Sequence, residues 1–386
     1  MNQQKSKPRV LIIPHSCIGN ILIRARELAK HLTDEYDVYY LLWHRRTKNN
    51  LLGKIKEVLV NFFQKTTMES SEDGFHYVRM RRFYFPFGAA TRWNTARLKK
   101  FVEKNDISIV INSAMMYYDT TTFKDVRVIY DVVDDLLEES GGLFPKYVEQ
   151  KISRFCWRQI ENTSTVLAVT QCLANILGKK LNKTIHYLPN GVNVERFQSV
   201  SAEKIQSFRE QHKLTDSKVI GYIGNLRDSY TGLDFLLEFF RIARHRHPEV
   251  KLLLVGPLDA EHQKMIHQQP GVVWLGPLPS AMMPLVFSSI DIGVLPFELS
   301  SLTEHCLPIK ILEYSAARKH VLATNLKSLR DLNMPNIHLL DRDIVAWNLA
   351  LDEIINMPWE NSYNNYVEQY HWNSVTGQLK TLMKGA

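Results

Sequence analysis

The segment Leu307-Pro308-Ile309-Lys310-Ile311-Leu312-Glu313-Tyr314-Ser315-Ala316-Ala317 combines residue types suited to holding an anionic, hydroxyl-bearing ligand. Pro308 suits a first helical turn, where backbone N–H groups form an anion site. Lys310 adds a mobile cation for a phosphate, and Glu313, three residues on, lies on about the same helix face. A carboxylate at that position accepts two hydrogen bonds from a vicinal diol such as ribose. On spacing alone the pattern equally describes an amphipathic helix whose Lys310 and Glu313 are solvated.

Asp131-Val132-Val133-Asp134-Asp135 follows an apolar run and so places carboxylates at a strand's carboxyl end. Asp134 could orient an acceptor hydroxyl or take its proton; the competing reading is an N-cap for residues 136–139. Gly19-Asn20 forms a turn after the first strand run, with Ser16 and Cys17 beside it. His15, His44, His76 and His186 have no partner at i, i+4 and suggest no metal site. Asp341-Arg342-Asp343 precedes a helical stretch and reads as a cap.

The elements that must position these residues follow an α/β pattern, with apolar β-branched runs alternating with stretches of helical period. Strands are expected at 10–14, 38–42, 107–112, 128–130, 165–169 and 184–188, with a helix at 21–32. The pattern restarts with strands at 218–223, 251–255, 272–275, 290–295 and 320–323, three of them ending at Gly224, Gly256 and Gly276. Pro189-Asn190-Gly191 is a turn signal between the halves. The expected domains are 1–197 and 198–365, with 366–386 forming a C-terminal helix. Two doubly wound sheets imply a ligand cleft beyond the carboxyl ends of their strands.

The 386 residues suffice for two domains at roughly 100–200 residues each. Four cysteines without C-x-x-C spacing fit a reducing, cytoplasmic setting, and no secretory leader or apolar run of about 18 residues is read. Residues 1–100 hold 19 Lys+Arg against 8 Asp+Glu, net +11, whereas the remainder is net −3 with 29 against 32. Such a field suits an anionic partner. Residues 51–65 place Leu51, Leu52, Ile55, Val58, Leu59, Phe62 and Phe63 on one stripe edged by Lys54, Lys56 and Lys65. This pattern, supported by the basic and aromatic stretch 79–87, fits either a core helix or docking on an anionic membrane surface. No nucleic-acid fingerprint is present, so no nucleic-acid partner is expected.

The P-x-K-x-x-E-Y segment, Pro189-Asn190-Gly191-Val192-Asn193 and the three strand-end glycines resemble the retaining nucleotide-sugar glycosyltransferases of glycosyltransferase family 4, in the branch common in bacterial surface-polysaccharide synthesis. The resemblance is good over the C-terminal half and loose over the N-terminal half. It implies a GT-B architecture of two Rossmann-like domains facing a central cleft, the last helix crossing back to the first domain. It also implies transfer of a hexose, with glucose as the first guess, from a UDP-sugar to a glycan or lipid-linked acceptor. No cofactor or catalytic metal is expected beyond the nucleoside diphosphate sugar itself, since Asp341-Arg342-Asp343 is similar to the metal-binding D-x-D of a different fold only in its letters.

By the same resemblance Glu313 holds the donor ribose, and the first acidic position, near the sugar hydroxyls, falls on His305 with Glu304 one place off. Gly19, Asn20, Gly224, Asn225, Leu278, Pro308, Ile309 and Lys310 complete the implied donor site, while Asp134, Glu304 and His305 are the catalytic candidates. Asn225 and Thr231 occupy places where the family commonly carries a diphosphate-binding Arg and Lys, so Arg227 and Lys310 are the expected substitutes. Two other readings remain: a nucleotide-sugar 2-epimerase, and a nucleotide-sugar-binding protein without turnover.

Overall fold

The computed structural model describes residues 7–15, 23–42, 65–83, 87–114, 116–133, 146–267 and 269–385. They form two compact units, Met1–Leu188 with Val375–Ala386, and Pro189–Ser374. The division falls before residue 197 because the segment after Leu188 pairs within the second unit. There Val192 N–H donates to Tyr370 O (2.8 Å), and the Trp372 ring lies so close to Gly191 that a Cβ would sit 2.6 Å from it. At the other end, helix Trp372–Lys384 contributes to the first unit only from Val375. Its Lys384 pairs with Glu35 at 2.7 Å, and Arg127 donates to Met383 O at 3.0 Å.

The first unit is an eight-stranded sheet among the described residues: β1 (Arg9–Ile13), β2 (Asp37–Leu42), β3 (Thr67–Ser70), β4 (His76–Arg79), β5 (Ile109–Asn112), β6 (Arg127–Val132), β7 (Thr165–Ala168) and β8 (His186–Tyr187). Its order is β3-β4-β2-β1-β5-β6-β7-β8, parallel except for the β3–β4 pair. β1 lies between β2 and β5, with Val10 opposite both Val38 and Ile109. Val10, Leu11, Ile12 and Ile13 are wholly buried, which is why this strand reads as an unbroken apolar run. The β3–β4 hairpin had no such signature: all four residues of β3 are exposed. The expected interfacial helix at 51–65 lies outside the described residues except for Lys65.

Arg24, in the helix Ile23–Leu32, donates through Nε and Nη2 to both oxygens of Asp131 on β6, at 3.1 and 2.8 Å. Arg24 also donates to Leu188 O (2.9 Å), and Ser113 Oγ donates to Asp131 Oδ2 (3.0 Å). Both charges are buried, so each depends on the other for compensation. We expect Asp131→Ala to destabilise this unit by about 3–5 kcal/mol, because it strands a buried guanidinium. Urea denaturation would show this as a lowered midpoint, and a loss below about 1 kcal/mol would mean that water reaches Arg24.

The second unit is a six-stranded parallel sheet among the described residues: β9 (Lys218–Ile223), β10 (Val250–Val255), β11 (Val272–Trp274), β12 (Ile292–Leu295), β13 (His320–Thr324) and β14 (Ile337–Leu340). Its order, β11-β10-β9-β12-β13-β14, is the doubly wound order whose switch point lies between β9 and β12. β14 escapes a reading by periodicity because it is a half-buried edge strand interrupted by His338. The register between β9 and β12 sets Gly221 against Gly293. A Cβ at Gly221 would meet the side chain of Ile290, in the turn before β12, at 2.6 Å, and one at Gly293 would meet the Tyr314 ring of a helix at 2.5 Å, so both glycines make room for close packing on the sheet.

Candidate donor site

The carboxyl edge of the second sheet begins with three glycines. Gly224 N–H donates to Val255 O (2.8 Å) and Gly256 N–H to Gly276 O (2.9 Å), which carries the strand ladder past its ends. Gly256 has no room for a side chain, since a Cβ there would fall 1.7 Å from Gly224 O. Leu278, half-buried, follows the turn at Gly276, whose φ of +69° favours glycine.

Onto this edge comes the helix Ile309–Ala316. Pro308 is its N-cap, one place before the expected first turn, and no side chain caps the first-turn N–H groups. Tyr314 anchors the helix: its buried hydroxyl donates to Gly221 O (2.8 Å) and accepts from Ile223 N–H (3.3 Å). Burial pushes the Tyr314 phenol far up, so it stays protonated. The anchoring brings Lys310 to β9, with its ammonium 5.9 Å from the Tyr222 ring centroid and 6.0 Å from that of Phe297. A Cβ at Gly224 would lie 1.9 Å from Lys310 Cε, so the lysine occupies the space that this glycine leaves.

Lys310 and Glu313 are each half-buried, and among the described residues neither side chain has a hydrogen bond or ion pair. Burial first, opposed by Lys310 and then Arg196, leaves the Glu313 carboxyl pushed up to about 7. Burial likewise lowers the Lys310 ammonium, with Glu313 the largest opposing influence. Two desolvated, opposite charges that retain accessible surface and lack hydrogen bonds are prepared for a ligand that brings its own donors and acceptors.

Arg196 was not singled out from sequence. Asn193 caps the helix Val194–Gln198, its Oδ1 accepting Arg196 N–H at 2.8 Å, and Arg196 donates to Ser280 O. The Pro189-Asn190-Gly191-Val192-Asn193 motif therefore positions a cation in the field of Glu313, and Asn190 Nδ2 ties the same turn to Leu307 O (2.9 Å). The signal available in the sequence was the cap residue Asn193, three places before Arg196.

The loop after Gly224 is occupied internally. Asn225 Nδ2 donates to Asp228 Oδ2 (2.6 Å), its Oδ1 accepts Arg227 N–H (3.1 Å), and Thr231 Oγ1 donates to Asp228 O (2.8 Å). Arg227 is exposed, and its guanidinium has no hydrogen bond or ion pair among the described residues. Glu304 and His305 close the short helix Ser301–His305, where Glu304 Oε2 accepts from Lys327 Nζ at 2.6 Å. Asp343 is the N-cap of Ile344–Ile354, accepting Ala346 N–H at 2.7 Å, and Asp341 accepts from Asn325.

In the first unit Gly19, Asn20 and Asp134 lie outside the described residues. At the carboxyl ends of β1 and β5 stand His15, whose buried Nδ1 has no hydrogen-bond partner among the described residues, and Ser113, engaged with Asp131. A lone histidine such as His15 carries no spacing signal, and its place directly after β1 is the clue the sequence offers.

Two Rossmann-like units, the second doubly wound about a switch point between β9 and β12, define a GT-B glycosyltransferase fold. Residues 217–356, within the second unit, match the family described as glycosyl transferases group 1. It is 26% identical over 269 residues to the "Putative teichuronic acid biosynthesis glycosyltransferase TuaH" of Bacillus subtilis strain 168, a match spanning 66% of this chain and 66% of the relative. Among solved structures it is similar to Anabaena HepE in complex with UDP, at TM-score 0.69 and 15% identity over 98% of this chain and 100% of that one. It is also similar to sucrose-phosphate synthase from Thermosynechococcus elongatus, at TM-score 0.73 and 15% identity over 98% of both chains.

Proposed function

We propose that this protein transfers a hexose from a UDP-sugar to a glycan or lipid-linked acceptor during polysaccharide biosynthesis, with retention of configuration and without a metal. The proposed setting is cytoplasmic. The observation that carries the reading is the juxtaposition of Lys310 with Gly224 at the carboxyl end of β9, with Glu313 one turn along the same helix and both side chains unpartnered among the described residues. The named role of TuaH in teichuronic acid synthesis and the UDP bound to HepE support the polymer and the nucleotide.

In this reading Glu313 accepts the ribose hydroxyls, and Lys310 with first-turn N–H groups neutralises the diphosphate as negative charge develops on the leaving group. Arg227, exposed beside the same loop, supplies the second cation. Glu304 or His305 orients the sugar, and Asp134 the acceptor. The internal engagement of Asn225 and Thr231 favours one alternative, a protein that binds the donor without turnover.

Calorimetric titration of UDP, GDP and ADP, alone and as glucose conjugates, tests the donor site. Selective binding of the UDP series is expected, followed by slow donor hydrolysis or transfer whose product keeps the donor's anomeric configuration. Tight binding with neither reaction would establish the binding-protein reading, and no binding at millimolar concentration would overturn both.

A further inference from the structure

The first unit holds a second feature built for anions. A groove of about 480 Å³ is lined by Lys65, Met68, Arg97, Lys100 and Lys104, with no acidic residue in its lining among the described residues. Arg97, Lys100 and Lys104 stand at i, i+3 and i+7 of the helix Phe87–Lys104, on one face and spanning about 10 Å of its axis.

Nearby carboxylates are spent elsewhere: Glu69 on Arg79 (3.1 Å), Glu103 on Lys99 (3.9 Å) and Asp106 on Arg9 (3.4 Å). Lys65, Lys100 and Lys104 make no ion pair or hydrogen bond among the described residues. Across the groove runs β3, an edge strand whose outer backbone groups pair with no strand among the described residues. Met68, 53% exposed, offers an apolar surface beside them.

We infer that this groove binds a carboxylate-bearing saccharide chain, which deepens and rests on the glycan-acceptor reading above. A concave site with a row of cations, edge-strand groups unpaired among the described residues and an apolar contact matches a chain that presents carboxylates, hydroxyls and the C–H faces of sugar rings. A bilayer presents a flat charged surface and fills no groove.

The test measures binding of fluorescent oligogalacturonate, its carboxyl-reduced counterpart and phosphatidylglycerol vesicles to the full chain. The variants are Lys100→Gln/Lys104→Gln, Lys65→Gln and the control Lys179→Gln. Oligogalacturonate binding is expected to fall at least tenfold in the double variant and several-fold in Lys65→Gln. It should weaken with salt, vanish for the reduced oligomer and be unchanged in Lys179→Gln, on a helix that does not line the groove. Equal binding of the reduced oligomer, full binding by the double variant, or recruitment to vesicles without oligogalacturonate binding would overturn the inference. UDP titration of the same proteins separates the two readings: lysine-dependent oligogalacturonate binding without UDP binding would sustain the groove while the donor reading fell.

Discussion

Replacing Glu313 by Gln should weaken UDP and UDP-sugar binding by about 10- to 100-fold, since two hydrogen bonds to a charged acceptor, each worth about 1.5–3 kcal/mol at most, become weaker or are lost. The effect should appear in calorimetric Kd as well as in kcat/KM, because a contact to the ribose would act in the ground state and the transition state alike. The wild-type pH profile follows from the burial of the pair. With the Glu313 carboxyl at about 7, its ionised form gains ground as pH rises through neutrality, so donor affinity should climb over that interval. Lys310, pulled below the ordinary lysine value, should produce the falling limb at higher pH. Glu313→Gln should abolish the rising limb and leave the falling one, and a variant that kept both would show that another group titrates. For stability the sign is opposite: a carboxyl that holds its proton to a higher pH when folded subtracts stability as pH rises from its ordinary 4.5 through 7.

Lys310→Met should lower kcat by about 10²–10³, the loss typical when one preorganised donor to a developing oxyanion is removed. Gly224→Ala provides an independent approach to the same atom. The added Cβ would fall 1.9 Å from Lys310 Cε, and the flexible end of the lysine is what must yield, so the ammonium leaves its place while the helix remains anchored by Tyr314. A comparable rate loss is expected, with about 1–3 kcal/mol of backbone strain at a φ of +156°. The double variant should be little worse than either single one, because both act through one cation. If Gly224→Ala kept the full rate, the position of Lys310 against β9 would be irrelevant to turnover.

Much of this arrangement was legible in the residues. The buried parallel strands announce themselves because burial on both faces demands unbroken apolar runs, and Lys218–Ile223 coincides with β9 end to end. The glycines at 224, 256 and 276 were visible as strand ends, and Lys310 and Glu313 as one helix face, because helical period is a local property. The exposed hairpin strand β3 and the edge strand β14 were not, since neither buries a full face and periodicity records only burial.

The identity and spacing of Pro308, Lys310, Glu313 and Tyr314 were determined by the sequence itself, as was the cap at Asn193. Whether Lys310 and Glu313 would be solvated or desolvated was decided only in the tertiary structure. Spacing on a helix is the same in either case, whereas burial depends on what packs across from it. Tyr314 seated on Gly221, with Gly293 opening room for its ring, presses the helix onto β9 and creates that environment. The commitment of Glu304 to Lys327, the convergence of Asp131 and Leu188 on Arg24, and the hydrogen bond from Ser113 to Asp131 likewise come from chain segments that meet only when the sheets close.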